Sequence, residues 1–124
     1  MKKILIIEDE KVLAEMYRDK FTRAGFEVIL AFDSEEGIIL AKKEKPDLIV
    51  LDILLPKENG ITFLTWLRKD SKIASIPVVA FSNYDDPATK REAVKLGVKE
   101  YLIKTSYTPS EIVAKVKQIL ADER

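Results

Sequence analysis

Glu8, Asp9, Glu10, Asp52, Ser82 and Lys104 are the residues whose types and positions could do chemistry. Each follows directly on a short apolar run: Ile4–Ile7 before Glu8-Asp9-Glu10, Leu48–Leu51 before Asp52, Val78–Phe81 before Ser82 and Tyr101–Ile103 before Lys104. Three or four carboxylates, a hydroxyl and one ammonium therefore collect at the ends of four hydrophobic segments. Clustered carboxylates repel one another and raise each other's pKa unless a cation joins them. A donor set of oxygens alone favours a hard cation, Mg²⁺ before zinc or copper. Mg²⁺ keeps part of its water shell and commonly binds phosphate oxygens beside one or two carboxylates. A lysine can neutralise a further phosphate oxygen and a serine hydroxyl can donate to another. A carboxylate can itself be the nucleophile and form an aspartyl phosphate. Phosphoryl transfer depends mainly on positioning and charge neutralisation, so this short set of groups suffices for it.

Taken singly, each residue has a plainer reading. Asp9 or Glu10 could cap a helix, Asp52 could be a turn residue, Lys104 a solvated surface charge and Ser82 a loop hydroxyl. The joint pattern of acid, acid, hydroxyl and lysine at the ends of four segments outweighs those readings.

The elements that must position these groups alternate in kind. Strand-like runs rich in branched residues cover Lys3–Ile7, Glu27–Ala31, Leu48–Leu51, Val78–Phe81 and Glu100–Ile103. Three of them are continuously apolar, as strands covered on both faces of a parallel sheet are. Between them lie helical patterns. Leu13, Met16, Tyr17, Phe21 and Ala24 form one apolar stripe that stops at Gly25. A second helix runs over Ser34–Glu44 behind Asp33 as cap, with Glu36 three residues on. A third begins near Gly60 and carries Phe63, Leu64 and Leu67. A fourth follows Asp86-Pro87 and ends at Gly97. The fifth has Thr108 as cap, Pro109 at its first position, Glu111 at its third, then Ile112, Val113, Val116, Ile119 and Leu120. A strand–helix unit repeated five times predicts an α/β fold, a parallel sheet with helices on both faces. Right-handed crossovers point to a flavodoxin-like (βα)5 three-layer sandwich, a five-stranded sheet of order 2-1-3-4-5. Its ligand site is expected beyond the carboxyl ends of the strands, where strand order reverses between the first and third.

Composition bounds the rest. The 124 residues suit one domain spanning 1–124. Lys plus Arg and Asp plus Glu are both 21, so the chain carries no basic excess for nucleic acid or an anionic membrane. With no cysteine and no histidine, disulfides, thiolate or imidazole metal sites, Ser-His-Asp catalysis and an imidazole phosphocarrier are all excluded. No apolar run approaches the roughly 20 residues of a membrane span, and Met1-Lys2-Lys3 leads straight into a strand with no signal-peptide pattern. A cytoplasmic location is expected. Neither a G-x-G-x-x-G nor a Walker A loop is present, which argues against nucleotide binding.

Four segments in order, Ile4–Glu10, Asp47–Pro56 with Asn59-Gly60, Pro77–Ser82 and Gly97–Lys104, closely resemble the receiver domain of two-component response regulators, the chemotaxis-regulator-like kind, over nearly the whole chain. The resemblance implies a role for each position. Asp52 is the phosphoacceptor. Asp9 is a direct Mg²⁺ ligand, Glu8 helps to hold the metal, and the backbone carbonyl of Leu54 is a further ligand beside Asp52. Lys104 pairs with the phosphoryl group, Ser82 hydrogen-bonds it, and Tyr101 moves inward behind Ser82 on activation. The donor would be a histidine kinase or a histidine phosphotransfer protein. The output would be a downstream protein target or an effector domain outside this chain, which the polar tail Ala121–Arg124 could lead into. Such a unit is a signalling switch that catalyses only its own phosphorylation and slow dephosphorylation.

Three positions depart from the family pattern. Glu8 stands where a second aspartate is frequent, Asn83 where a small residue is common, and Thr105 where a cis-proline often follows the lysine. A cis bond before a non-proline residue costs about 2.5–4 kcal/mol, so a trans bond or a rearranged loop is expected before helix five. Two other readings fit the same residues. One is a binding module of the same fold that does not use phosphorylation. The other is a small aspartyl-phosphate phosphohydrolase, disfavoured because Leu54 occupies the position where its general acid would stand.

Overall fold

A computed structural model describes residues 1–55, 59–83 and 85–122. Pro56, part of the second family-like segment, and the tail residues Glu123 and Arg124 lie outside the described residues. Five strands alternate with five helices: β1 (Lys3–Ile7), α1 (Lys11–Arg23), β2 (Glu27–Ala31), α2 (Ser34–Glu44), β3 (Leu48–Asp52), α3 (Gly60–Lys69), β4 (Val78–Ser82), α4 (Pro87–Lys95), β5 (Glu100–Ile103) and α5 (Pro109–Asp122). The strands form one parallel sheet of order β2-β1-β3-β4-β5, as the alternation predicts. β3 and β4 are buried along their whole length, whereas β2 and β5 at the edges are partly open. Both central strands run one residue further than their apolar stretches, so Asp52 and Ser82 are the last residues of β3 and β4.

Helix boundaries follow local chemistry. Asp33, Asn59 and Asp86 each cap a helix by accepting the N–H three residues on, from Glu36, Thr62 and Thr89. Thr108 and Glu111 form a reciprocal capping box, Glu111 N–H to Thr108 Oγ1 at 3.2 Å and Thr108 N–H to Glu111 Oε1 at 2.8 Å. In α2 the Glu36 carboxylate reaches one residue further back, accepting from Phe32 N–H at 2.7 Å. Gly25 and Gly97, at φ +98° and +83°, end α1 and α4. Phe26 and Val98 N–H donate back to Phe21 and Ala93, while Gly25 and Gly97 N–H donate to Thr22 and Val94. That is the Schellman pattern, and it needs a left-handed residue that glycine adopts without a Cβ clash.

Side-chain alternation splits the core in two. Ile4, Ile6, Leu48, Val50, Val79, Phe81 and Leu102 pack with Tyr17, Phe21, Ile112, Val113 and Val116 of α1 and α5. Leu5, Ile7, Ile49, Leu51, Val78 and Ala80 pack with Ala41, Phe63, Leu64, Leu67 and Ala93 of α2, α3 and α4. Continued to the strand ends, the same alternation assigns Glu8 and Asp52 to the α1/α5 side. It assigns Ser82 and Tyr101 to the opposite side.

Candidate functional site

Parallel pairing puts the carboxyl ends of β1, β3, β4 and β5 on one rim. Ile7 lies in register with Leu51, Asp52 with Phe81, and Ser82 with Ile103. The residue after each strand, or its last residue, therefore lies on this rim, around the point where strand order reverses between β1 and β3. Glu8, Asp52 and Ser82 are buried there at 1%, 4% and 0% exposure, and Asp9 is exposed.

Lys104 crosses the rim to join the acids. Its Nζ donates to Glu8 Oε1 at 2.6 Å and to Asp52 Oδ2 at 3.2 Å. Glu8 Oε2 accepts from Glu10 N–H at 3.1 Å. Asp52 Oδ1 accepts from Leu54 N–H at 3.1 Å, which fixes the carboxylate at the strand end. Glu10 occupies the capping position of α1, yet its side chain makes no capping bond.

Burial is the largest influence on the Glu8 carboxyl. With the Asp52 charge it pushes the pKa up to about 7, against the Lys104 hydrogen bond and the Glu10 N–H. Asp52 is also raised, by burial first, while Lys104 and the Leu54 N–H pull it back. Burial works against the Lys104 charge, but the two carboxylates outweigh it and its pKa is raised. The site thus keeps its lysine charged beside two acids that resist full ionisation.

Oxygens of Glu8, Asp9 and Asp52 come within 4.8 Å of one another. Three carboxylates against one ammonium leave a local negative charge in a partly dry site. All the donors are hard oxygens, so the set fits a divalent cation such as Mg²⁺. Leu54, two residues beyond Asp52, is exposed on the same rim.

Of the residues expected at the site, Glu8, Asp52 and Lys104 are brought into direct contact, and Asp9 lies alongside. Ser82 is buried at the end of the neighbouring strand. Tyr101 is half-buried and packs on the α2/α3/α4 core, as expected of a resting strand aromatic. Asn83 and Thr105 are exposed. There is no cis peptide bond among the described residues, and the chain from Lys104 to Ser106 forms a 3-10 turn. The chain before α5 is thus trans, one of the two outcomes expected with Thr105 after Lys104.

Sequence reasoning did not single out Phe81. Its ring lies under the Lys104 ammonium, 4.7 Å from Nζ to the centroid, and Tyr17 meets it edge-on. No local motif marks either residue, because each reads as an ordinary member of a core stripe.

Residues 4–117 match the family described as the response regulator receiver domain, and the chain belongs to that family. It is 38% identical over 119 residues to the alkaline phosphatase synthesis transcriptional regulatory protein PhoP of Bacillus subtilis, covering 96% of this chain and 48% of that protein. It is 34% identical over 120 residues to the DNA-binding dual master transcriptional regulator RpaA of Synechocystis, covering 97% of this chain and 49% of that one. The chain thus spans about half the length of these curated relatives. Among solved structures, the receiver domain of Francisella response regulator 1452 superposes with a TM-score of 0.89 at 30% identity, covering 100% of both chains. The protein is accordingly a receiver domain of the two-component response regulator class, with the flavodoxin-like fold expected of it.

Proposed function

We propose that Asp52 accepts a phosphoryl group from the phosphohistidine of a histidine kinase or a histidine phosphotransfer protein. The observation that carries this reading is the pairing of Lys104 with both Asp52 and Glu8 at the mouth of the sheet. An Asp52 carboxylate oxygen attacks phosphorus. The new O–P bond forms as the P–N bond breaks, and the electron pair stays on the imidazole nitrogen, which takes up a proton. Lys104, hydrogen-bonded to Asp52 Oδ2, would follow the charge onto a phosphoryl oxygen. Ser82, at the end of the adjacent strand, donates to another, and Tyr101 responds behind it.

Mg²⁺ would be held by Asp9, Asp52, the Leu54 carbonyl and Glu8. Both Glu8 oxygens already accept hydrogen bonds, which suits a hold through water. When bound, the ion supplies neutralisation of the phosphoryl oxygens. Lys104, hydrogen-bonded to both acids, would shift from Glu8 toward the phosphoryl oxygens as charge builds on the group at Asp52.

On this reading residues 1–124 act as one receiver unit that catalyses only its own phosphorylation and slow dephosphorylation. The near-absence of net charge fits a partner that is protein rather than nucleic acid. Relatives named as transcriptional regulators carry about as much chain again, so an effector domain or a separate protein target would receive the signal. No helix among the described residues is long and apolar enough to cross a membrane, which is compatible with a cytoplasmic site of action.

The deciding experiment is Mg²⁺-dependent incorporation of phosphate from a phosphohistidine donor or acetyl phosphate, with Asp52→Asn as control. Wild type is expected to gain one phosphoryl group and the variant none. Equal incorporation by Asp52→Asn would reject the assignment.

A further inference from the structure

Phe81 has a place in this site that the chemistry above does not use. It directly precedes Ser82, pairs in register with Asp52 on one side and Leu102 on the other, and is fully buried. The Lys104 Nζ stands 4.7 Å from its ring centroid, inside the roughly 6 Å over which a ring face attracts a cation. Tyr17, 4% exposed on α1, braces that ring: the centroids are 5.1 Å apart and the planes meet at 80°. This edge-to-face contact is the arrangement aromatic quadrupoles prefer.

We propose that Phe81, braced by Tyr17, is a positioning residue for Lys104. A lysine ammonium sits on a long, flexible stem and is strongly hydrated, so it tends to swing toward water. Two carboxylates hold it on one side. On the other side an aliphatic wall would remove water and give nothing back to the charge. The Phe81 face excludes water and still attracts the cation. It also takes none of the three N–H donors, leaving them for Glu8, Asp52 and an arriving phosphoryl oxygen. Phe81 thus keeps Lys104 at the reacting carboxylate while Asp52 changes from an anion to an acyl phosphate. This last consequence rests on the phosphoacceptor reading, whereas the placement of Lys104 does not.

The test uses the full chain with Phe81 replaced by 4-fluoro- and then 3,4,5-trifluorophenylalanine, which nearly keep the shape while draining the ring face, alongside Phe81→Leu. In NMR spectra the Lys104 ε-methylene protons are expected upfield of the other lysines in the wild type, through the ring current. That offset should vanish in Phe81→Leu. With acetyl phosphate and saturating Mg²⁺, the phosphorylation rate should fall stepwise with fluorination, three- to tenfold by the trifluoro ring, while Mg²⁺ affinity changes less than twofold. A Lys104 resonance with no ring-current offset in wild type, or a rate indifferent to fluorination, would reduce Phe81 to core packing and overturn the proposal. If wild type takes up no phosphoryl group, the functional reading fails, and the Lys104 offset still decides the positioning claim.

Discussion

Lys104 donates to Glu8 at 2.6 Å, a closer approach than the 3.2 Å it keeps from the proposed nucleophile Asp52. The site is therefore organised around a lysine held closest to Glu8, at 12% and 1% side-chain exposure. That arrangement ties stability to pH and, on the proposed function, would tie both to metal binding.

The sign of the pH effect follows from Glu8. Burial raises its folded pKa to about 7, from an ordinary 4.5. Between those values the folded chain binds more protons at Glu8 than the unfolded chain does. The stability contribution is therefore fully present below the unfolded value and lost as pH rises through about 7. Urea unfolding without divalent cations, run from about pH 5 to about pH 8, should show wild type losing stability relative to Glu8→Gln as pH rises. A difference between the two that grows in the opposite direction would contradict the assignment. Mg²⁺ added at the upper end should recover much of the loss in wild type, because the cation binds the ionised acids.

On the proposed function, Ser82 would separate sensing from metal binding. It is buried at the end of β4, and neighbouring Ala80 pairs in register with Tyr101. A ligand shifts a two-state equilibrium only through its different interactions with the two states, and on the proposed function Ser82 would meet the phosphoryl group only after it arrives. Ser82→Ala should leave Mg²⁺ affinity within about twofold, whereas the change at Tyr101 produced by a phosphoryl analogue such as beryllofluoride should weaken about tenfold or more, a coupling loss of roughly 1.4 kcal/mol. NMR titrations read both quantities. Equal losses in the two would remove Ser82 from the switching role.

Arg68 holds the far end of α4. Its guanidinium donates to the carbonyls of Leu96 at 2.7 Å, Ala74 at 2.9 Å, Ile76 at 2.8 Å and Gly97 at 3.2 Å. One side chain thus joins α3, the segment before β4 and the end of α4. Arg68→Ala should cost about 2–4 kcal/mol in urea unfolding, since it strands several partly buried acceptors. Arg68→Lys should recover less than half, because an ammonium cannot reproduce the planar fork.

Gly60 lets α3 approach the end of β3. A Cβ there would lie 2.8 Å from Ile53 Cα and 3.0 Å from Asp52 O, both backbone atoms, and Gly60 N–H already donates to Ile53 O at 2.8 Å. Helix propensity favours alanine over glycine by about 1 kcal/mol, but the clash should win. Gly60→Ala is expected to destabilise by about 1–3 kcal/mol and to weaken Mg²⁺ binding by displacing Asp52 and Leu54. At Gly37 the closest atom is the movable Ile7 Cδ1 at 2.7 Å. Gly37→Ala should therefore cost less than Gly60→Ala and leave Mg²⁺ binding unchanged. Calorimetric melting together with a Mg²⁺ titration compares the two, and the reverse order would refute the close-approach argument.

The sequence alone determined the elements and which residues reach the rim. Short runs of apolar, branched residues and 3.6-residue patterns are local and depend on few neighbours, so all five strands and five helices could be read from them. The caps at Asp33, Asp86 and Thr108 and the glycine stops at Gly25 and Gly97 were legible for the same reason. Parallel alternation then forced Glu8, Asp9, Asp52, Ser82 and Lys104 to one rim. Relationships across the sheet were not legible. Lys104 and Glu8 are 96 positions apart, and a lysine at a strand end carries no mark of which acid it will choose. Nothing in the sequence reveals that Glu10 leaves α1 without a side-chain cap, or that Arg68 gathers four carbonyls. Nor does it reveal that an apparent core residue, Phe81, presents its ring to the ammonium. Those outcomes depend on how side chains from distant elements share one small volume, where distance and dehydration set the energies, and only the folded packing fixes both.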